Sequence, residues 1–211
     1  MKKFFAIIAA LCLGAAAFAQ QTPEEIFAKM EEVMNAHEAD GMIMTVEIKI
    51  PILGTMSTRS WMLGNKTKVV SSTMGVDIVN WMDAGAATSW TYDSKDNKIK
   101  IESIDTKDAA DDSSDAEMFT GVTDGYDVTL KKETDTAWYF VATKQKTNTN
   151  KDDPKTMDIA IAKETYYPVS LSAKMKGVTM TMKDIDFGVS EADVTFDPSQ
   201  YPDAIVEDMR K

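Results

Sequence analysis

Cysteine is almost absent. Cys12 is the only one in 211 residues, and it sits in the apolar stretch at the start. Residues 20–211 therefore hold no thiol, which excludes disulfide staples, cysteine nucleophiles and thiolate metal sites from that part of the chain. Histidine is equally scarce. His37 is the only one, and its spacing puts it on the apolar side of a helix, where a packing role outweighs catalysis. There is no Gly-x-Ser-x-Gly elbow and no glycine-rich phosphate loop. Basic charge is in the minority, with 23 Lys and Arg against 34 Asp and Glu and a net charge of −11. Such a surface repels nucleic acid and anionic headgroups. Beyond the N-terminus no apolar run approaches the roughly 20 residues that span a bilayer as a helix.

What is present begins with an export signal. Lys2 and Lys3 are followed by an apolar run from Phe4 to Phe18, then by Ala17-Phe18-Ala19, with small residues where a signal peptidase reads. The expectation is a cleaved signal peptide over 1–19 and a single domain over 20–211, working outside the cytoplasm. Leu11 before Cys12 argues against lipidation. A chain of this size buries about 70% of its unfolded surface, so a core holds it without staples.

Thr22-Pro23-Glu24-Glu25 is a helix start, with Thr22 as cap, Pro23 at the first position and Glu25 completing a capping box. Ile26, Phe27, Met30, Val33, Met34 and His37 then recur at helical spacing, and Asp40-Gly41 ends the helix. After Gly41 the period becomes two: Met42, Met44, Val46, Ile48 and Ile50 alternate with polar residues. Strands follow through 61–63, 66–73, 76–83, 87–93, 98–104, 126–132, 137–146, 156–163, 167–176 and 178–186. Gly64-Asn65, Ser94 to Asn97 and Lys176-Gly177 serve as hairpin turns. The turn also accounts for Asn65 in the sequon Asn65-Lys66-Thr67. About ten antiparallel strands at hairpin spacing predict a meander or barrel-like sheet.

Asp105 to Gly125 interrupts this pattern. It predicts a polar loop holding a short helix capped by Ser113 or Ser114. Its acidic residues, 108–117, lack calcium-ligand spacing and a mid-loop glycine, so a solvated loop and no metal is expected there. A carboxylate pair brought together by folding, as in a hydrolase, stays open on sequence grounds.

Methionine is the abundant residue, with 15. Many fall in strand patterns, where β-branched residues are the usual choice. Methionine is flexible and polarizable, and adaptable apolar binding surfaces over-use it. The two readings are an ordinary closed core and an apolar binding face.

The order of elements, together with particular residues, resembles the LolA-like outer-membrane lipoprotein carrier family (LolA/LolB superfamily). Asp83-Ala84-Gly85 leads to Trp90, Tyr92 and Asp93, as in that family's Asp-Gly…Trp-x-Tyr-Asp strand, and Phe196 and Pro198 match its late Phe-x-Phe-x-Pro strand ending. Val194 replaces the first aromatic of that ending. No Arg-Pro pair follows Trp61; Arg59 and Lys66 are the neighbouring cations. The resemblance implies an α+β fold: an incomplete antiparallel β-barrel of about ten to eleven strands. An N-terminal amphipathic helix and a short lid helix would cover its apolar cavity. It implies a periplasmic, non-enzymatic carrier or chaperone without cofactor, likened to lipoprotein transport in outer-membrane biogenesis. Its partners would be acylated lipoproteins or lipids, an inner-membrane lipoprotein-releasing transporter and an outer-membrane acceptor, with no nucleic acid, and it would act as a monomer. The expected cavity is lined by Met42, Met44, Val46, Ile48, Met82, Trp90, Tyr92, Met180 and Met182 and covered by Ile26, Met30 and Val33. A regulatory or sensory lipid-binding or envelope-protein-binding module on the same fold is the alternative.

Overall fold

A computed structural model describes residues 21–105 and 119–210. The expected signal peptide, the acidic run and the short lid helix lie outside the described residues.

Helix α1 (Pro23–Ala36) starts as its sequence dictates. The Thr22 hydroxyl accepts from the Glu25 backbone N–H at 3.3 Å, and the Glu25 carboxylate accepts from the Thr22 N–H at 2.9 Å. Ile26, Phe27, Met30 and Met34 form its buried stripe. His37 caps its end, and a 3-10 turn (Glu38–Asp40) leads to Gly41. Gly41 has φ +67°, and a Cβ there would lie 2.5 Å from the Met62 carbonyl oxygen. Only glycine lets the chain turn this tightly from helix into sheet.

The strands are β1 (Met42–Ile50), β2 (Gly54–Leu63), β3 (Lys66–Thr73), β4 (Val76–Asp83), β5 (Thr88–Asp93), β6 (Lys98–Ser103), β7 (Tyr126–Glu133), β8 (Ala137–Lys144), β9 (Thr156–Ala162), β10 (Pro168–Met175), β11 (Val178–Phe187) and β12 (Ile205–Asp208). They form one sheet in the order β12-β6-β5-β4-β3-β2-β1-β11-β10-β9-β8-β7. Two antiparallel meanders, β1–β6 and β7–β11, join where β1 pairs with β11. The result is an open, curled sheet: the meander that the strand pattern predicted and the incomplete barrel that the family resemblance implied.

Two differences from the sequence reading concern the C-terminal segment. It adds a twelfth strand, β12, which pairs parallel to β6 and covers that edge. Four exposed residues carry too little pattern to announce a strand. Val194 to Pro198, expected as a strand ending, is not a strand: Val194 closes a short helix, α2 (Glu191–Val194), and Pro198 opens a 3-10 turn. The Asp193 carboxylate accepts from the Ser190 N–H at 2.8 Å and from its hydroxyl at 2.5 Å, and this capping box fixes the turn as helix.

Candidate functional site

The pairing register assigns every strand residue to one of two faces, because directly paired residues project to the same side. Met42, Met44, Val46 and Ile48 share one face of β1. Val46 pairs with Met182 and Ile48 with Met180. The row continues through Leu171 and Ala173 to Ile159 and Met157, then to Phe140 and Ala142. Helix α1 packs on this inner face. Ile26, Phe27, Met30 and Met34 join Met42, Met44, Phe119, Phe140, Ile159 and Leu171 in one buried cluster, with the Phe27 and Phe140 rings 5.0 Å apart.

The inner face is not uniformly filled. Met42 and Met44 are buried, whereas Val46, Ile48, Met180 and Met182 on the same rows are half-buried. In the other direction Met42 pairs with Met62, Met62 with Thr67, and Thr67 with Met82. Met82 is therefore on the inner face too, and it is also half-buried. Of the three helix residues expected as cover, Ile26 and Met30 are fully buried and Val33 is half-buried.

Trp90 and Tyr92 do not join this surface, which corrects the expectation. Trp90 pairs with Trp81 and Tyr92 with Val79, whereas Met82 pairs with Ser89. The two aromatics thus project from the outer face. There the C-terminal segment covers them. The Phe196 ring stacks on Trp90 at 5.6 Å and meets Trp81 edge-on at 5.2 Å, and Tyr201 lies 4.4 Å from Tyr92. Trp81, Val79 and Ile99 are buried beneath it. Burial raises the Tyr201 phenol above its ordinary value. This aromatic cluster is a second core with a structural role.

The cations near Trp61 also face outward. Arg59 lies over the Trp61 ring at 5.2 Å. Lys66 forms ion pairs with Asp83, at 3.7 Å, and with Glu191 of α2. Both carboxylates raise its pKa, with the Glu191 hydrogen bond the largest cause. Lys66 ties the C-terminal segment down and does not reach α1's side.

His37 packs as its position predicts. Its ring stacks on Phe187 at 4.7 Å. Nδ1 is 2.7 Å from Asp40 Oδ2, and Nε2 is 2.9 Å from the Tyr167 hydroxyl. These contacts anchor the end of α1 where β1 and β11 meet. Sequence spacing did not reveal Tyr167 and Phe187, which come from segments distant in the chain. Among the described residues no group of three His, Cys, Asp or Glu side chains is placed to hold a metal ion, and no helix is long and apolar enough to cross a membrane.

The architecture is thus an open, curled, mainly antiparallel sheet with an amphipathic helix packed on its inner face. No protein-family model matches the chain, and no curated protein matches its sequence. Among solved structures, the chain is similar to an uncharacterized conserved protein from Thermus thermophilus, at 17% identity and a TM-score of 0.45, covering 89% of this chain and 99% of that one. It is similar to the lipoprotein LppX of Mycobacterium tuberculosis, at 10% identity and a TM-score of 0.49, covering 80% and 98%. It is also similar to a LolA superfamily protein from Nitrosomonas europaea, at 11% identity and a TM-score of 0.31, covering 84% and 99%. These likenesses concern architecture alone.

Proposed function

We propose that this chain is an exported, periplasmic carrier that shields acyl chains of lipoproteins or related lipids against its inner face for transfer towards the outer membrane. One observation carries the reading. Ile48 and Met180 carry the apolar inner face past the cluster that α1 closes, Val46 and Met182 pack at that cluster's edge, Met82 stands further along beyond Thr67, and all five are half-buried. A closed core leaves no such surplus. Acyl burial is worth about 0.8 kcal/mol per CH₂, so an apolar surface with an adaptable methionine lining suits chains of varied length. Met42, Met44, Ile26 and Met30 form the floor of this surface, and Val33 lies at its margin. The reading needs no cofactor and no catalytic group.

The test is titration of the delipidated protein with a fluorescent fatty acid, beside native mass spectrometry of the protein as purified. A saturable site and co-purified lipid are expected. Absence of both would overturn the reading. Depletion in the producing cell separates transport from sensing, since loss of a carrier strands lipoproteins at the inner membrane.

A further inference from the structure

The β1–β2, β3–β4, β5–β6 and β10–β11 hairpin turns and the β8–β9 loop all lie at one end of the sheet, because each joins the same ends of antiparallel neighbours. Two of these tips are unusual. Pro51-Ile52-Leu53 closes β1–β2, and Met74-Gly75 closes β3–β4. Ile52 and Met74 are fully exposed, Leu53 is nearly so, and Met56 just below is also exposed. Single exposed apolar side chains are ordinary; a group on two neighbouring hairpins is not. Backbone conformation adds an independent observation. Ile52 has φ +73° and Met74 φ +52°. Asn or Gly is the common occupant of such positions, and a β-branched residue there is an outlier. The chain therefore places isoleucine where both conformation and solvent oppose it.

The surroundings fit a lipid surface. Below the tips the strand ends carry Thr55, Ser57, Ser72 and Thr73, hydroxyls suited to the headgroup layer. On the adjacent β10–β11 hairpin and the β8–β9 loop, Lys151, Lys155, Lys174 and Lys176 line one groove with Asp152 and Asp153. Asp152 pairs with Lys176 at 3.4 Å, and Asp153 accepts from Asn148 and Asn150 at 2.7 Å each. That leaves a local excess of positive charge in a chain of net charge −11.

We infer that this end of the sheet docks on a bilayer, with Ile52, Leu53 and Met74 entering the acyl boundary and the neighbouring lysines meeting anionic headgroups. Narrow tips with single protruding side chains offer little flat area to a protein partner, but they suit a fluid apolar layer. The inference is independent of acyl-chain carriage on the inner face.

The test is flotation with phosphatidylcholine vesicles, with and without phosphatidylglycerol, of protein produced from the full-length chain and recovered without detergent. The parent is expected to float with both, more completely with phosphatidylglycerol. Ile52→Asn and Met74→Asn should each weaken vesicle binding about tenfold. Ile52→Asn should also raise the Tm by about 2–4 °C, because asparagine relieves the left-handed strain. Lys174→Gln with Lys151→Gln should abolish only the preference for phosphatidylglycerol. A folded variant with higher Tm and lower vesicle affinity separates docking from stability. Three outcomes would overturn the inference. The parent could stay soluble with both vesicles. The asparagine variants could float as the parent does. The tips could instead drive dimers of the parent that Ile52→Asn abolishes.

Discussion

Met44 and Met180 lie on the same face of neighbouring strands and share one chemistry, yet they do different work. Met44 is 6% exposed within the cluster that α1 closes, and Met180 is half-buried beyond it. A polar substitution reports that difference. Met44→Gln leaves an amide in an apolar core and should cost about 1–3 kcal/mol in urea unfolding. Met180→Gln keeps its amide within reach of water, so stability should change by less than about 0.5 kcal/mol. The same variant should weaken binding of a fluorescent fatty acid several-fold. Equal destabilisation by both, with no probe binding by the parent, would mean that the inner face is only a core.

Elements follow the sequence where the information is local. Thr22, Pro23 and Glu25 announce α1, and the switch to a period of two after Gly41 announces the meander, with most strand ends within a residue or so. β2 is the exception, beginning at Gly54 and not near Trp61, because its polar first half, Gly54 to Ser60, shows no apolar alternation. Thr22→Ala removes the cap and should cost about 1 kcal/mol, read by thermal unfolding. What was not legible is which strand faces coincide, because that depends on accumulated loop lengths. The three-residue link at 51–53 pairs Met42 with Met62, even number with even. The four-residue link at 84–87 pairs Met82 with Ser89, even with odd, and so sends Trp90 to the opposite face. A one-residue change of register exchanges the faces. The C-terminal segment was missed for another reason: side chains from distant parts of the chain and short polar caps hold it. Four of its carboxylates sit below their ordinary values. Ser190 bonds lower Asp193, Ser199 bonds lower Asp197, Lys98 lowers Glu207, and Arg210 brings Asp208 to about 2. Lowered folded values mean that this stabilisation is complete above the ordinary 3.8 to 4.5 and is lost as pH falls through the folded values. Acidification from about pH 5 to about pH 2 should therefore loosen residues 190–208 before α1. Hydrogen exchange resolved by segment checks the order; simultaneous release would contradict it.

At the scale of the molecule, one sheet serves two cores on opposite faces. The inner core belongs to β1 and β7–β11 under α1, and the outer core belongs to β2–β6 under the C-terminal segment. This division lets an incomplete barrel stay stable while part of its inner face remains unfilled, since the aromatic cluster on Trp81, Trp90 and Tyr92 needs nothing from that side. It also predicts a double dissociation. Phe196→Ala removes the ring that stacks on Trp90 and meets Trp81, and should cost about 2 kcal/mol, below the full core value because the ring is half-buried. It touches the outer face alone, so the affinity for a fluorescent fatty acid should remain within about twofold of the parent. Met180→Gln, on the inner face beyond the α1 cluster, should behave in the opposite sense, with affinity falling several-fold at little cost in stability. Tryptophan emission gives a third readout: Phe196→Ala should shift it to the red as Trp81 and Trp90 gain water, and Met180→Gln should leave it unchanged. Loss of fatty-acid binding in Phe196→Ala at a temperature where it is fully folded would show that the two faces are coupled, and that the outer core shapes the inner surface instead of merely holding the sheet.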